Sequence, residues 1–147
     1  MRSTMFAALL LVVPGALAAQ AGLPVFAFGG RHLGDPRSIV GPQAECTSAN
    51  TFGVVCKAGH GRLGATHVEL AYFFRRDSLA GLSFRVDSGG FSGALRALQG
   101  RYGPPARLVR ATGHVYAEWR FHDGRLDLTR TGSAENEVVI GGFAGPR

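Results

Sequence analysis

Lysine is almost absent from this chain. Lys57 is the only one, so nearly all of the 16 basic residues are arginine. There is no basic run either: the arginines are spread along the chain among Asp and Glu. The formal net charge is +6, yet without a basic stripe nucleic-acid binding is not expected. Attraction to anionic surfaces such as lipopolysaccharide, peptidoglycan or acidic proteins stays open. Metal-ligand spacings are missing as well. No H-x-H, HExxH or CxxC occurs among the five histidines and two cysteines, so no metal is expected. Gly61-Arg62-Leu63-Gly64 lacks the Lys-Ser/Thr that a phosphate loop needs. The apolar run Met5–Val13 covers nine residues, whereas a membrane-spanning helix needs about 20. A transmembrane anchor is therefore excluded there. There is no low-complexity stretch and no linker.

The short apolar run has another meaning. Arg2 precedes it, Pro14-Gly15 breaks it, and Ala16-Leu17-Ala18 follows. A positive start, an apolar centre and a small-x-small ending make a secretory signal peptide. Residues 1–18 are expected to be removed, with a second cut possible after Ala21. Residues 19–147 then form one exported domain, periplasmic or secreted, with room for a single core. No cysteine follows either cut, so no lipid anchor is expected.

Export places Cys46 and Cys56 in an oxidising compartment. Two cysteines at this spacing are expected to form one disulfide. In the chain-entropy model a loop of that size stabilises by roughly 2.5–3 kcal/mol. Free thiols and a metal pair are the alternatives, and Cys-x9-Cys with no nearby His pair suits zinc poorly.

Hydrophobic periodicity gives the elements. Val25, Ala27 and Phe28 are read as an edge strand. Leu33-Gly34-Asp35-Pro36 reads as the start of a brief helix, with Asp35 as cap, which Gly41-Pro42 stops. Three runs alternate with period two, as half-buried strands do. They are Thr51–Ala58 (Phe52, Val54, Cys56 on one face), Thr66–Phe74 (Val68, Leu70, Tyr72, Phe74) and the run bearing Leu82, Phe84 and Val86. The period then changes: Phe91, Leu95, Leu98 and Tyr102 form one helical stripe, which Gly103-Pro104-Pro105 ends. A last strand covers Glu137–Ile140.

The clearest element is a hairpin. Val115, Ala117, Trp119 and Phe121 alternate with Tyr116, Glu118, Arg120 and His122, and Asp123-Gly124 suits a type I′ turn. That turn pairs Phe121 with Leu126, Trp119 with Leu128 and Arg120 with Asp127. Leu79 and Leu82 cannot both face inward without one extra residue, and Gly81 offers a bulge. At an offset of 47, His67, Val68, Tyr72, Phe74 and Leu79 match His114, Val115, Trp119, Phe121 and Leu126. Duplication and a shared hairpin pattern are the two readings. The expected fold is α+β: an antiparallel sheet of hairpins, one main amphipathic helix packed on one face, and a duplication if the repeat is real.

Leu33-Gly34-Asp35-Pro36 near a helix start, a helix ending in Tyr102-Gly103-Pro104, and Trp119 with Phe121 in a hairpin make a combination that resembles a known domain. It is the one shared by β-lactamase inhibitory proteins and the small lipoprotein subunit of the outer-membrane barrel-assembly machine. The resemblance implies a helix-on-sheet layer that binds other proteins. This chain departs from the lipoprotein branch in lacking a lipid-bearing Cys.

Catalytic readings each fail at a second required residue. Gly90-Phe91-Ser92-Gly93-Ala94 is close to the G-x-S-x-G nucleophile elbow, but Ala94 replaces the second Gly. A small hydrolase using Ser92 is kept as the alternative function. His114 and His122 are roughly 26 Å apart along one strand and cannot share an ion. Asp127 is expected to face Arg120, while Glu69 and Glu118 sit on a solvated strand face. No cofactor is expected. A ligand carrier would need a cavity, which a core of this size is not expected to hold.

The remaining reading is a non-catalytic binding module for another envelope or secreted protein, as an inhibitor or assembly factor. If the helix covers the Tyr72/Trp119 face, the opposite face shows Phe73, Arg85, Tyr116, Glu118 and Arg120. Aromatics beside arginine are the types enriched at interaction hot spots. These five are the candidate partner-binding residues.

Overall fold

The structure, a computed structural model, describes residues 23–49, 53–87, 89–132 and 138–145. The signal segment and Phe52 lie outside them. The described residues form a 3-10 turn, Arg37–Val40, then strands β1 (Glu45–Ala49), β2 (Gly53–Leu63), β3 (Thr66–Arg75) and β4 (Ser78–Val86). Helix α1 (Phe91–Tyr102) follows, then β5 (Arg107–Ala111), β6 (His114–Phe121), β7 (Gly124–Thr131) and β8 (Val138–Ala144). All eight strands join one antiparallel sheet in the order β1-β2-β3-β4-β8-β7-β6-β5.

This corrects the α+β expectation. The molecule is β-rich: one wide sheet carries a single twelve-residue helix among the described residues. The expected alternation accounts for the inner strands only. β1 and β5 are edge strands with mostly exposed side chains, so no buried face imprints a pattern on them. β2 also runs on through Gly59–Leu63, where glycines at positions 59 and 61 interrupt the alternation.

One face of the sheet is apolar. Its central row runs straight across six strands: Cys56, Tyr72, Leu82, Phe143, Leu126 and Trp119. All six are buried. Helix α1 lays Phe91, Ala94, Leu95 and Leu98 into the core. Tyr102 is half-buried and donates its hydroxyl to the carbonyl of Ala27 at 2.7 Å. The Trp119 indole donates to the Gly103 carbonyl at 2.9 Å, just past the helix end.

The lead-in is not the expected edge strand at Val25, Ala27 and Phe28. Among its described residues the only ladder contact is the Phe28–Arg31 bridge. Phe26 and Phe28 instead drop into the core, while Val25 is 61 % exposed. Phe26 stacks on Phe143 with ring centroids 3.7 Å apart. Asp35 does not cap the turn after it. Pro36 holds the cap position without a side-chain bond, and the Asp35 carboxylate accepts the N–H of His32.

Cys46 and Cys56 face each other across β1 and β2 and are joined by the disulfide. The bridge ties the outermost strand to the buried row. No helix among the described residues is long and apolar enough to cross a membrane.

The β6–β7 register differs from the expected one. Phe121 pairs with Gly124, Trp119 with Leu126 and Glu118 with Asp127, so the two-residue loop is His122-Asp123. Two forces decide this. The lead-in holds the loop, since Asp123 accepts the N–H of Phe26 at 2.8 Å and His122 donates to the Pro24 carbonyl. Gly124 meanwhile lies so close to β8 that an added Cβ would overlap the Ala144 carbonyl oxygen. The faces survive because Leu126 and Leu128 both point inward, so either pairing sets a leucine against Trp119.

The bulge does occur, with Ala80 as the extra residue between the Phe73–Gly81 and Phe74–Leu79 pairs. Duplication does not fit the topology. With the buried face toward the viewer and β3 pointing up, β4 lies on one side of it. β6 also points up, but β7 lies on its opposite side, because the order is β3-β4-β8-β7-β6. Tyr72 and Trp119 are on the same face. No rotation superposes two such hairpins, so the offset of 47 reflects shared alternation.

Candidate functional site: the outer face of the sheet

Alternation sends every second side chain to the other face, and the register lays these out in three rows. The first row runs His60, Glu69, Arg85, Ile140, Thr129, Tyr116. The second runs Lys57, Ala71, Ser83, Gly142, Asp127, Glu118. The third runs Val55, Phe73, Gly81, Ala144, Arg125, Arg120. All five candidate binding residues are therefore on one face. Arg85 and Tyr116 share a row, separated by three strand steps or about 14 Å.

The five do not form one cluster. Tyr116, Glu118 and Arg120 are joined at one end, whereas Arg85 and Phe73 stand toward the other. Between them the floor is small: Gly81, Ser83, Gly142 and Ala144. Ile140 rises from this part of the face, 51 % exposed. Beyond it, Lys57, His60, Glu69 and Arg85 ring a hollow of ≈ 380 Å³ above Ala71 and Ser83.

The Tyr116 end is electrostatically organised. Arg120 Nε donates to Glu118 Oε1 at 2.9 Å, and Arg125 Nε lies 3.2 Å from Asp127 Oδ2. Glu118 and Asp127 face each other across the strands, not Asp127 and Arg120 as expected. Two opposed carboxylates would repel, and the Tyr116 hydroxyl lies between them, 2.8 Å from Glu118 Oε2 and 2.7 Å from Asp127 Oδ1. Its single proton serves one carboxylate at a time. Burial, followed by the bonds to Asp127 and Glu118, pushes the phenol's ionisation far above the ordinary tyrosine range. The bond from Arg120, then that from Tyr116, holds the Glu118 carboxyl below its ordinary value of 4.5, against the opposing effect of burial.

That shift has a sign. A lowered folded-state value means the ionised form stabilises the fold above the unfolded value, and this contribution is lost as pH falls through the folded value. Denaturant unfolding of wild type and Glu118→Gln from about pH 7 down to about pH 3 should show a shallower acid-side loss in the variant. Parallel curves would remove Glu118 from the account.

Asp127, Arg125 and Ile140 were not among the expected binding residues. The shifted register sets Asp127 against Glu118 and Arg125 against Arg120, and the central place of β8 sets Ile140 between Arg85 and Thr129. Ser92 is the second residue of α1 and exposed, and the residue before the helix, Gly90, already has near-helical backbone at φ −81, ψ −7. His122 lies in the hairpin loop and not on the strand.

No family model matches the chain, and neither a curated protein nor a solved structure matches it.

Proposed function

We propose that this protein is a non-catalytic exported module whose outer sheet face binds another protein of the periplasm or the surrounding medium. The observation that carries the reading is the three-row outer face. It sets a hydrogen-bonded Tyr116–Glu118–Arg120 end and an Arg85-rimmed hollow on either side of a small-residue floor with an exposed isoleucine. Groups already fixed by hydrogen bonds lose little entropy on docking. Tyr and Arg are the side chains that most often dominate binding energy. The disulfide fits an oxidising compartment. The sequence resemblance to the β-lactamase inhibitory and barrel-assembly lipoprotein domain points the same way, toward inhibition or envelope assembly.

The test uses Arg85→Glu, Arg120→Glu and Ile140→Arg, all at exposed positions. The triple variant should unfold cooperatively like wild type and fail to recover, from a periplasmic extract, the partner that wild type recovers. A folded triple variant that retains the partner would move the binding surface elsewhere.

A further inference from the structure

A second concavity lies on the helix side of the sheet. It is a cleft of ≈ 590 Å³ between α1, the β2–β3 hairpin and the Phe28–Arg31 turn. This volume falls within the range of about 300–1,000 Å³ typical of small-ligand sites. Glycine keeps it open: positions 29, 61, 64 and 100 on its walls carry no side chain.

The chemistry of the lining is one-sided. Among the described residues its charged lining is Arg31, Arg62 and Arg101, with no carboxylate. Among the described residues none of these three arginines is in an ion pair. Arg31 is braced by donating to the Ile39 carbonyl at 3.0 Å. Arg62 has its guanidinium 3.3 Å from His67 Nε2. Arg101 is exposed at the end of α1, its guanidinium carbon 5.5 Å from the Tyr102 ring centroid.

The rest of the lining is apolar with one exception. Phe28 and Leu63 are buried, and Leu70 is half-buried. Tyr72 also lines the cleft and is only 7 % exposed, yet its hydroxyl makes no hydrogen bond to the described residues. The hydroxyl is not a buried unpartnered atom, so it opens onto the cleft and can donate to an acceptor bound there.

We infer that this cleft binds a single-chain amphiphile with an anionic head group. The apolar floor takes the chain, Arg101 and Arg31 attract the head, and the Tyr72 hydroxyl donates to it. Charge and polarity favour this pairing: the guanidinia attract an anionic head, and the apolar floor is covered by a chain. The site is on the opposite face from the proposed protein-binding surface and is independent of it.

Isothermal titration of the disulfide-bonded protein with monomeric dodecyl phosphate tests this. One molecule per chain is expected, with weakening at high salt. Arg101→Glu and Tyr72→Phe should each weaken binding by about tenfold, the loss of one charge-assisted hydrogen bond. The outer-face variant Arg120→Glu should bind as wild type does. Inorganic phosphate and dodecyl maltoside should both bind far more weakly. Equal binding of either probe, unchanged affinity in both cleft variants, or no binding of dodecyl phosphate would overturn the assignment.

Discussion

Gly141→Val is expected to destabilise the fold severely. Gly141 is on the buried face of β8, paired with Phe84 on one side and Leu128 on the other. A Cβ there would overlap the Phe84 ring at three of its carbons. That ring cannot move aside: it is 1 % exposed and stacked on Phe28 with centroids 5.7 Å apart. Overpacking typically costs about 1–3 kcal/mol and occasionally more, and a clash with three ring carbons belongs at the upper end, against a total stability of roughly 5–15 kcal/mol for a domain. Because β8 joins the two halves of the sheet, the damage is not local. The variant should lose its cooperative urea transition or shift it far downward. Phe84→Ala in the same background should restore part of it, because the two positions compete for one space. A wild-type midpoint for Gly141→Val would mean that β8 does not pack under Phe84.

Phe26→Ala should have an effect of similar size. The residue is outside every strand and helix, yet it is 1 % exposed. It stacks on Phe143 and meets Phe121 edge-on at 5.2 Å. Its backbone N–H is held by Asp123. Removing a buried phenylalanine costs about 3–5 kcal/mol. Its neighbour Val25 is 61 % exposed, and Val25→Ala should stay within about 0.5 kcal/mol. Paired urea unfolding of the two variants separates a docked lead-in from a loose one. A loss below about 1 kcal/mol for Phe26→Ala would show that the segment leaves the core at little cost.

These two residues also mark where the sequence stops being legible. Phe26 has no periodic partners, so it reads as lead-in; its burial is decided by Phe121 and Phe143, roughly a hundred residues away. Gly141 lies just past the expected last strand, Glu137–Ile140, and meets Phe84 only because β8 runs on to Ala144. The hairpin shows the same limit more finely. Asp123-Gly124 is a good local turn, but Asp123 is claimed by the Phe26 N–H and Gly124 by the closeness of Ala144. Local preference is worth less than those two contacts, so the pairing moves by two residues.

The candidate site was legible in part. Alternation alone assigned Phe73, Arg85, Tyr116, Glu118 and Arg120 to one face, because period two fixes the face whatever the register. It did not reveal which of them touch. The opposition of Glu118 and Asp127, the bridging Tyr116 hydroxyl and the place of Ile140 all depend on register and strand order. The cleft under α1 left no trace in the sequence, since its lining comes from four separate segments.

The sequence by itself determined β3, β4, β6 and β7, only the first parts of β2 and β8, the span of α1, the disulfide and the inward or outward sense of most side chains. Each of these depends on near neighbours or on a period, and local sterics and burial settle them. Tertiary structure decided that the fold is β-rich, that β8 sits at the centre of the sheet, and that the hairpin likeness is no duplication. It also placed the lead-in phenylalanines in the core and opened a basic-lined cleft on the helix side. Those outcomes turn on which distant surfaces bury one another, and pairing over such separations leaves no periodic mark on the chain.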